Sequence, residues 1–421
     1  MKLILSNALL FDQASKYHAT THDVKIDDGV IVQIGKGLQD AKTIDLGGSL
    51  LTPSLFDLFA NFNEPGLEHR EDINSGIRTA AFAGFTDVCI VPNTSPVVEK
   101  KSDINFLKGK SNSGVTIHPL AAVSEGCLGE NLTEILDLND AGAVAFSDGL
   151  NPIWNGELLL KALQYLQKFD GLLVVRPKDI HLSQFAHMHE GIMSTSLGLK
   201  GEPSISEEIS LKRDIDILRY AGGRIHFTHI STAEGVNLIK AAKKEGLKVT
   251  CDVALNQLIY TEDDLIDYDT NYKVDPPYRG ERDRKALIKG LREDVIDAIV
   301  TSHQPLDIES KELEFDLAMP GMCSMPTVFA SLQYISNELP LEISLQKFSN
   351  GPRAILGKDQ VHIEVGSKAK FAIFDPNLVW KFDRKANPSK SNNSPLLNTE
   401  LKGYCLGIFD GISYHRNKSI L

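Results

Sequence analysis

From about residue 52 to residue 354 the chain repeats one pattern eight times, an apolar run followed by an amphipathic stretch. The apolar runs are 53–62, DVCIVPN (87–93), VTIHPLAAV (115–123), AVAFSD (143–148), GLLVVRP (171–177), RIHFTHI (224–230), KVTCDVAL (248–255) and DAIVTSHQP (297–305). Between them lie stretches such as INSGIRTAAFAG (73–84), GELLLKALQYLQKF (156–169), TAEGVNLIKAAKKEG (232–246) and DRKALIKGLRE (283–293), with apolar residues at helical spacing. Strands buried on both faces read as continuous apolar runs, and such strands belong to parallel sheets covered by helices. Eight strand-then-helix units over roughly 250 residues predict an α/β fold of the TIM (β/α)8 barrel type.

The flanks read differently. LILSNALLF (3–11), HDVKIDDGVIVQIG (22–35) and KTIDLGGSLLTP (42–53) are short alternating strands set around Asp-Gly and Gly-Gly turns. HIEVGSKAKFAIFDPNLVWKF (362–382) and GYCLGIFDGISYHR (403–416) return to that style after the barrel. Residues 1–51 and 355–421 are therefore expected to form one small composite β-sandwich domain beside a barrel domain of 52–354. The Ser-, Asn- and Pro-rich stretch KANPSKSNNSPLLN (385–398) is expected to be a mobile loop.

Charge and cysteine usage narrow the function class. With 44 basic and 56 acidic residues the net charge is −12, which argues against a duplex nucleic acid partner. Cys89, Cys127, Cys251, Cys323 and Cys405 are scattered and form no CxxC pair, so they read as reduced thiols of a cytoplasmic protein. The N-terminal run is short and interrupted by Ser6 and Asn7, which suits a strand better than a signal peptide. No apolar run reaches the roughly 20 residues of a membrane span. Glycine-rich phosphate-binding motifs following a strand are also missing from the sequence.

Five segments carry a family resemblance: NEPGLEHREDINSGIRTAAFAGFTDVCIVPNTSPV (63–97), MHEGIMSTSLGLKGEPSISEE (188–208), THISTAEGV (228–236), KVDPPYRGERDRKAL (273–287) and DAIVTSHQP (297–305). In this order they resemble the dihydroorotases of the amidohydrolase superfamily, which cyclise carbamoyl-aspartate in pyrimidine synthesis. The resemblance spans nearly the whole chain. It implies a metal centre at the barrel mouth that turns water into a nucleophile.

The positions that should hold that centre depart from the family pattern. The first strand of the family reads D-L-H-x-H-x-R-E-P-G; here Phe59 and Asn61 stand at the histidines and Asn63 at the arginine. Phenylalanine cannot ligate a metal, and a neutral amide is a poor zinc ligand and a poor clamp for a carboxylate. Arg176 and Lys178 replace a histidine and a glutamate; Asn256 and Gln257 replace two histidines. Ser302 stands at the aspartate that serves the family as general base, with Leu306 at a nearby histidine. Asp275 replaces a substrate-facing asparagine, and Pro326 a glutamate.

Asn93, Asp148, His229 and His303 remain as a remnant of the family site. His229 and His303 read as barrel histidines held by packing and hydrogen bonds. Asp148 reads as the cap of the following helix, with Gly149 completing the turn. Asn93 is either a turn residue or a substrate contact. Arg176 and Lys178 are either a cationic replacement for metal or partners in salt bridges with Asp148 and Asp179, the second being preferred. His118, His187 and His189 are expected to need no metal.

The resemblance therefore implies a dihydroorotase-like protein without metal or hydrolase activity, most like the degenerate family members that partner aspartate transcarbamoylase, and a homodimer. Two alternatives stay open. One is an active cyclic-amide hydrolase using zinc at His229, His303 and Asp148. The other is a non-catalytic binder of small acids at the barrel mouth, using Arg176, Lys178 and Asn93. Phe59 is expected to fill the space of the family's metals.

Overall fold

The computed structural model describes residues 2–39, 41–111 and 114–417. Eight parallel strands form the barrel: β1 (Leu55–Ala60), β2 (Phe85–Ile90), β3 (Thr116–Ala121), β4 (Ala145–Ser147), β5 (Leu173–Val175), β6 (Ile225–Phe227), β7 (Val249–Ala254) and β8 (Ala298–Val300). They pair in sequence order. The ring closes where Ala60 pairs with His303 and the Asn61 amide donates to the His303 carbonyl at 2.9 Å. The Asp57 carboxylate adds a second closure, accepting the Thr301 amide at 3.0 Å and the Thr301 hydroxyl.

The strands are shorter than the apolar runs predict. The run 297–305, for example, is strand only over Ala298–Val300, because beyond it the chain turns into the mouth, with Ser302 in the left-handed region at φ 53°. The continuous apolar runs have a plain cause. Successive side chains on a strand face opposite sides, and here both sides are buried. Leu173 and Val175 pack under the helices while Val174 faces the barrel interior. Phe56, Leu58, Leu120, Ala145, Ala298 and Val300 join Val174 in that interior.

Helix limits follow from local capping. The helix Ile73–Ala83 starts at Asp72, whose side chain accepts the Ser75 amide at 2.7 Å, and ends at Gly84 with φ 100°. A side chain at Gly84 would also collide with the Phe374 ring, 2.7 Å from where a Cβ would sit.

Strands from the two chain ends join in one eight-stranded sheet. Leu50–Pro53 pairs antiparallel with Phe371–Phe374, which links the N-terminal strands to the hairpin Lys370–Phe382 and Thr399–Asp410. The strand Lys2–Leu10 changes partner along its length, from Lys42–Asp45 to Leu50–Leu51. Around it Leu3, Leu5, Val24, Ile26, Leu51, Phe371 and Phe409 form a separate core. One buried carboxylate ties this sheet to the barrel. Asp87 on β2 accepts from His118 at 2.9 Å, from Arg353 on the helix Leu341–Ile355 at 2.9 Å, and from Lys370 at 3.3 Å.

The stretch 385–398 corrects the expectation of a mobile loop. Asn387, Ser389, Ser391 and Asn393 are buried. Ser389 donates to Glu71, Ser391 donates to the Arg70 carbonyl at 2.7 Å, and the Asn393 amide donates to the Gln304 and Gly321 carbonyls at 3.1 Å. Polar side chains that suggest a solvated loop are spent here on groups of the barrel and of the segment itself, so the segment forms a strap beside the mouth. All five cysteines are buried and unpaired. Among the described residues no helix is long and apolar enough to cross a membrane.

Candidate functional site at the barrel mouth

The C-terminal ends of the barrel strands bring most of the singled-out residues together, each held by the loop that follows its strand. Phe59, near the end of β1, is 3% exposed, and its ring meets the His229 imidazole edge-on with centroids 4.5 Å apart. Asn61 turns away from the mouth: its side-chain oxygen accepts the Asn63 amide at 2.9 Å. Asn63, at φ 59°, donates to the Pro305 carbonyl at 3.3 Å. Both asparagines therefore organise the loop after β1.

His229 stands at the end of β6 and is fully engaged. Its backbone amide donates to Asp252 on β7 at 2.7 Å, Nδ1 lies 2.7 Å from the Thr228 hydroxyl, and Nε2 lies 2.9 Å from the Ser302 hydroxyl. Burial pushes its pKa down to about 4, against the pull of Asp252, so the ring is neutral near neutral pH. Asp252 also accepts from His226 at 2.9 Å, and these bonds overcome burial to hold its carboxyl below the ordinary value.

His303 does not face His229. Its Nδ1 accepts the Met325 amide at 3.4 Å, its ring packs edge-on against Phe62, and Nε2 lies 3.7 Å from Glu71. Asp148 is likewise committed elsewhere. It accepts the amides of Val123 and Ser124 at 3.1 and 2.9 Å and the Ser124 hydroxyl at 2.5 Å, and burial pushes its pKa up. This corrects the capping expectation, since the helix Gly156–Leu166 is capped by Asn155. Asn93 is a cross-brace of two loops: it donates to the Asp148 carbonyl at 3.0 Å and accepts the Leu150 amide at 2.8 Å.

Arg176 and Lys178 do form salt bridges, with partners other than those expected. Lys178 Nζ lies 2.8 Å from both Asp275 and Glu202, and Arg176 lies 3.3 Å from Asp275. Asp179 instead accepts the His181 and Leu182 amides in its own turn. Burial disfavours the Asp275 carboxylate, but Arg176 and Lys178 outweigh it and hold the carboxyl well below its usual range. Burial also opposes the Lys178 charge, yet Asp275 and Glu202 hold its pKa above the ordinary value. The charge series continues through Glu202 to Arg279 at 2.9 Å. Arg176 donates Nη1 to the Leu150 carbonyl at 3.1 Å, whereas its buried Nη2 makes the ion pair with Asp275 and no hydrogen bond. Gln257 donates to the Pro276 carbonyl at 2.8 Å, and the buried Asn256 side-chain oxygen is unpartnered.

These residues do not fit the metal centre that the resemblance implies. His229 Nε2 carries a serine, His303 points to Glu71, Asp148 is saturated with donors, and a phenyl ring covers His229. Among the described residues no group of three His, Cys, Asp or Glu side chains is placed to hold a metal ion. Reading the sequence missed Asp252, Thr228 and Glu202. A buried aspartate inside the apolar run KVTCDVAL is the signal that marks the first, because an ionised side chain in a barrel strand needs dedicated donors; Thr228 and Glu202 have no comparable mark.

The family model of dihydro-orotase-like proteins matches residues 48–235. A dihydroorotase of Geobacter sp. (strain M21) is 36% identical over 96% of both chains. One of Ruminiclostridium cellulolyticum is 38% identical over 94% of both. Among solved structures, the L-hydantoinase (dihydropyrimidinase) of Arthrobacter aurescens superposes with a TM-score of 0.85 at 21% identity, covering 100% of this chain and 97% of that one. The dihydropyrimidinase of Brevibacillus agri gives 0.83 at 19%, covering 100% and 96%. These structural likenesses carry the barrel-plus-sheet fold.

Proposed function

The chain belongs to the dihydroorotase family, and from that premise we propose that it serves de novo pyrimidine synthesis without metal-dependent hydrolysis, as a structural partner of aspartate transcarbamoylase. One observation carries this reading. Asp148 and His229 are committed to other groups, His303 Nε2 lies 3.7 Å from Glu71, and the Phe59 ring meets His229 edge-on. A metal-activated water needs about three ligands, and among the described residues no three such side chains are grouped to hold a metal ion. The partner follows from the degenerate members of the family that the chain resembles, in which the barrel supports a transferase. The same resemblance suggests a homodimer.

A second reading is an active dihydroorotase, and it is favoured by the extent of the match: relatives bearing that name align over nearly the whole chain. A binder of small acids is a third, for which Lys178 and Lys273 line a cavity of about 310 Å³ together with His187, Glu202, Asp275 and Asp316.

The experiment that separates them uses the purified full chain. Dihydroorotate hydrolysis is followed while zinc is titrated in and bound metal is counted, with the His229→Ala, His303→Ala double variant as control. The scaffold reading expects no stoichiometric zinc, no turnover, and co-migration with aspartate transcarbamoylase on size exclusion. Zinc-dependent turnover that the double variant loses would establish the second reading instead. Saturable dihydroorotate binding without turnover or co-migration would establish the third.

A further inference from the structure

The hydrogen bonds at the end of β6 have a direction, and it runs toward Ser302. Asp252 is an ionised carboxylate and can only accept. Thr228 Oγ1 lies 3.1 and 2.9 Å from its two oxygens, so the single hydroxyl proton of Thr228 is given to Asp252. Having spent that proton, Thr228 can only accept from His229 Nδ1 at 2.7 Å. Nδ1 therefore carries the imidazole proton, and Nε2 presents its lone pair to the Ser302 hydroxyl at 2.9 Å. The order Asp252, Thr228, His229, Ser302 is that of a carboxylate-oriented histidine poised to take a serine proton, with one threonine hydroxyl inserted.

Two further features suit a nucleophile. Ser302 keeps part of its surface exposed, whereas Thr228 and His229 are buried. Its backbone is left-handed, φ 53°, a conformation that costs a non-glycine residue energy.

We propose that Ser302 is a nucleophile activated by His229, and that it accepts an acyl group from small activated esters without any metal. As Oγ bonds to the ester carbonyl carbon, its proton passes to His229 Nε2 and the carbonyl π electrons move onto oxygen. Collapse of that adduct breaks the bond between the carbonyl carbon and the leaving oxygen, which takes the proton back from Nε2. The products are Ser302 carrying the acyl group as an ester and the free alcohol or phenol. With Phe59 against His229, the acyl group has to be small. This activity is independent of the assembly role proposed above.

The test treats the full-length protein with p-nitrophenyl acetate, follows nitrophenolate release, and locates acetyl groups by peptide mass spectrometry. The expected result is a burst of about one nitrophenolate per chain, the yield of a single acylated serine, with acetyl on the peptide that holds Ser302. Ser302→Ala abolishes both the burst and that modification. Thr228→Val slows acetylation by about 100-fold, the low end of what a positioned base supplies, and Thr228→Ser restores it. Circular dichroism of each variant establishes that it is folded. A folded native chain that is not acetylated at Ser302 overturns the proposal. So does Ser302 acetylation at an unchanged rate in folded Thr228→Val, which would make Ser302 an ordinary exposed hydroxyl.

Discussion

At the scale of single residues, the site is a set of exchanged roles. Phe59 supplies apolar bulk against His229, and Asn61 and Asn63 supply turn hydrogen bonds. Truncating a buried phenylalanine typically costs about 3–5 kcal/mol through lost burial and the cavity left behind. Phe59→Ala is therefore expected to destabilise the chain by about that amount in urea unfolding, with the slope of the transition unchanged. A loss below about 1 kcal/mol would mean that Phe59 is not a packing residue. Residue identity at the mouth was legible in the sequence, since a phenylalanine where the resemblance implies a ligand needs no coordinates to be noticed. Partnership was not legible. The carboxylates that meet Arg176 and Lys178 lie far along the chain, at Asp275 and Glu202, and no local pattern ties them together. Asp148 was misread for the same reason: capping is a local habit of aspartate, while its donors come from Val123 and Ser124 on a neighbouring loop.

At the scale of elements, the barrel strands were legible because burial on both faces leaves a continuous apolar run. Their ends were not, because the run continues into mouth segments whose residues are buried without being strand. The strap 385–398 was misjudged on composition, as serine and asparagine serve a buried hydrogen-bonding segment as well as a solvated one. The segment after β8 has a pH dependence of its own. Lys311 is buried, and its Nζ donates to the Met319 and Gly321 carbonyls at 3.0 and 3.2 Å. Burial, with the neighbouring Lys273 charge, pushes its pKa down to about 7. The unfolded chain keeps its lysine near about 10.4, so between about pH 7 and 10 the unfolded state binds more protons. The Lys311 contribution to stability must then rise with pH across that window, at no more than about 1.4 kcal/mol per unit. Lys311→Met is expected to show a flatter rise than the native chain in urea unfolding across these pH values. Equal slopes would place Lys311 near its ordinary value and remove the argument.

At the scale of the whole molecule, the sheet from both chain ends and the barrel share Asp87, which joins β2, the helix Leu341–Ile355 and the strand Lys370–Phe382. Burial opposes its charge, yet the His118 bond and the Lys370 and Arg353 charges hold its carboxyl well below the ordinary range. A depressed carboxyl stabilises above its unfolded value near about 3.9, and that stability is lost as pH falls through it toward the folded value. Asp87→Asn, which strands a buried arginine, is expected to cost about 3–5 kcal/mol at neutral pH, read by calorimetry, with the gap to the native chain narrowing in acid. A cost under about 1 kcal/mol would show that Asp87 does not hold the two parts together. The linked charges at the mouth bear on heredity as well as on stability. Arg176, Lys178, Asp275, Glu202 and Arg279 satisfy one another in series, so returning Asp275 alone to asparagine leaves Arg176 buried with no carboxylate beside it. Loss of Asp275 by a single step thus passes through a weaker protein, and a lineage carrying this network is held to that carboxylate as by a ratchet.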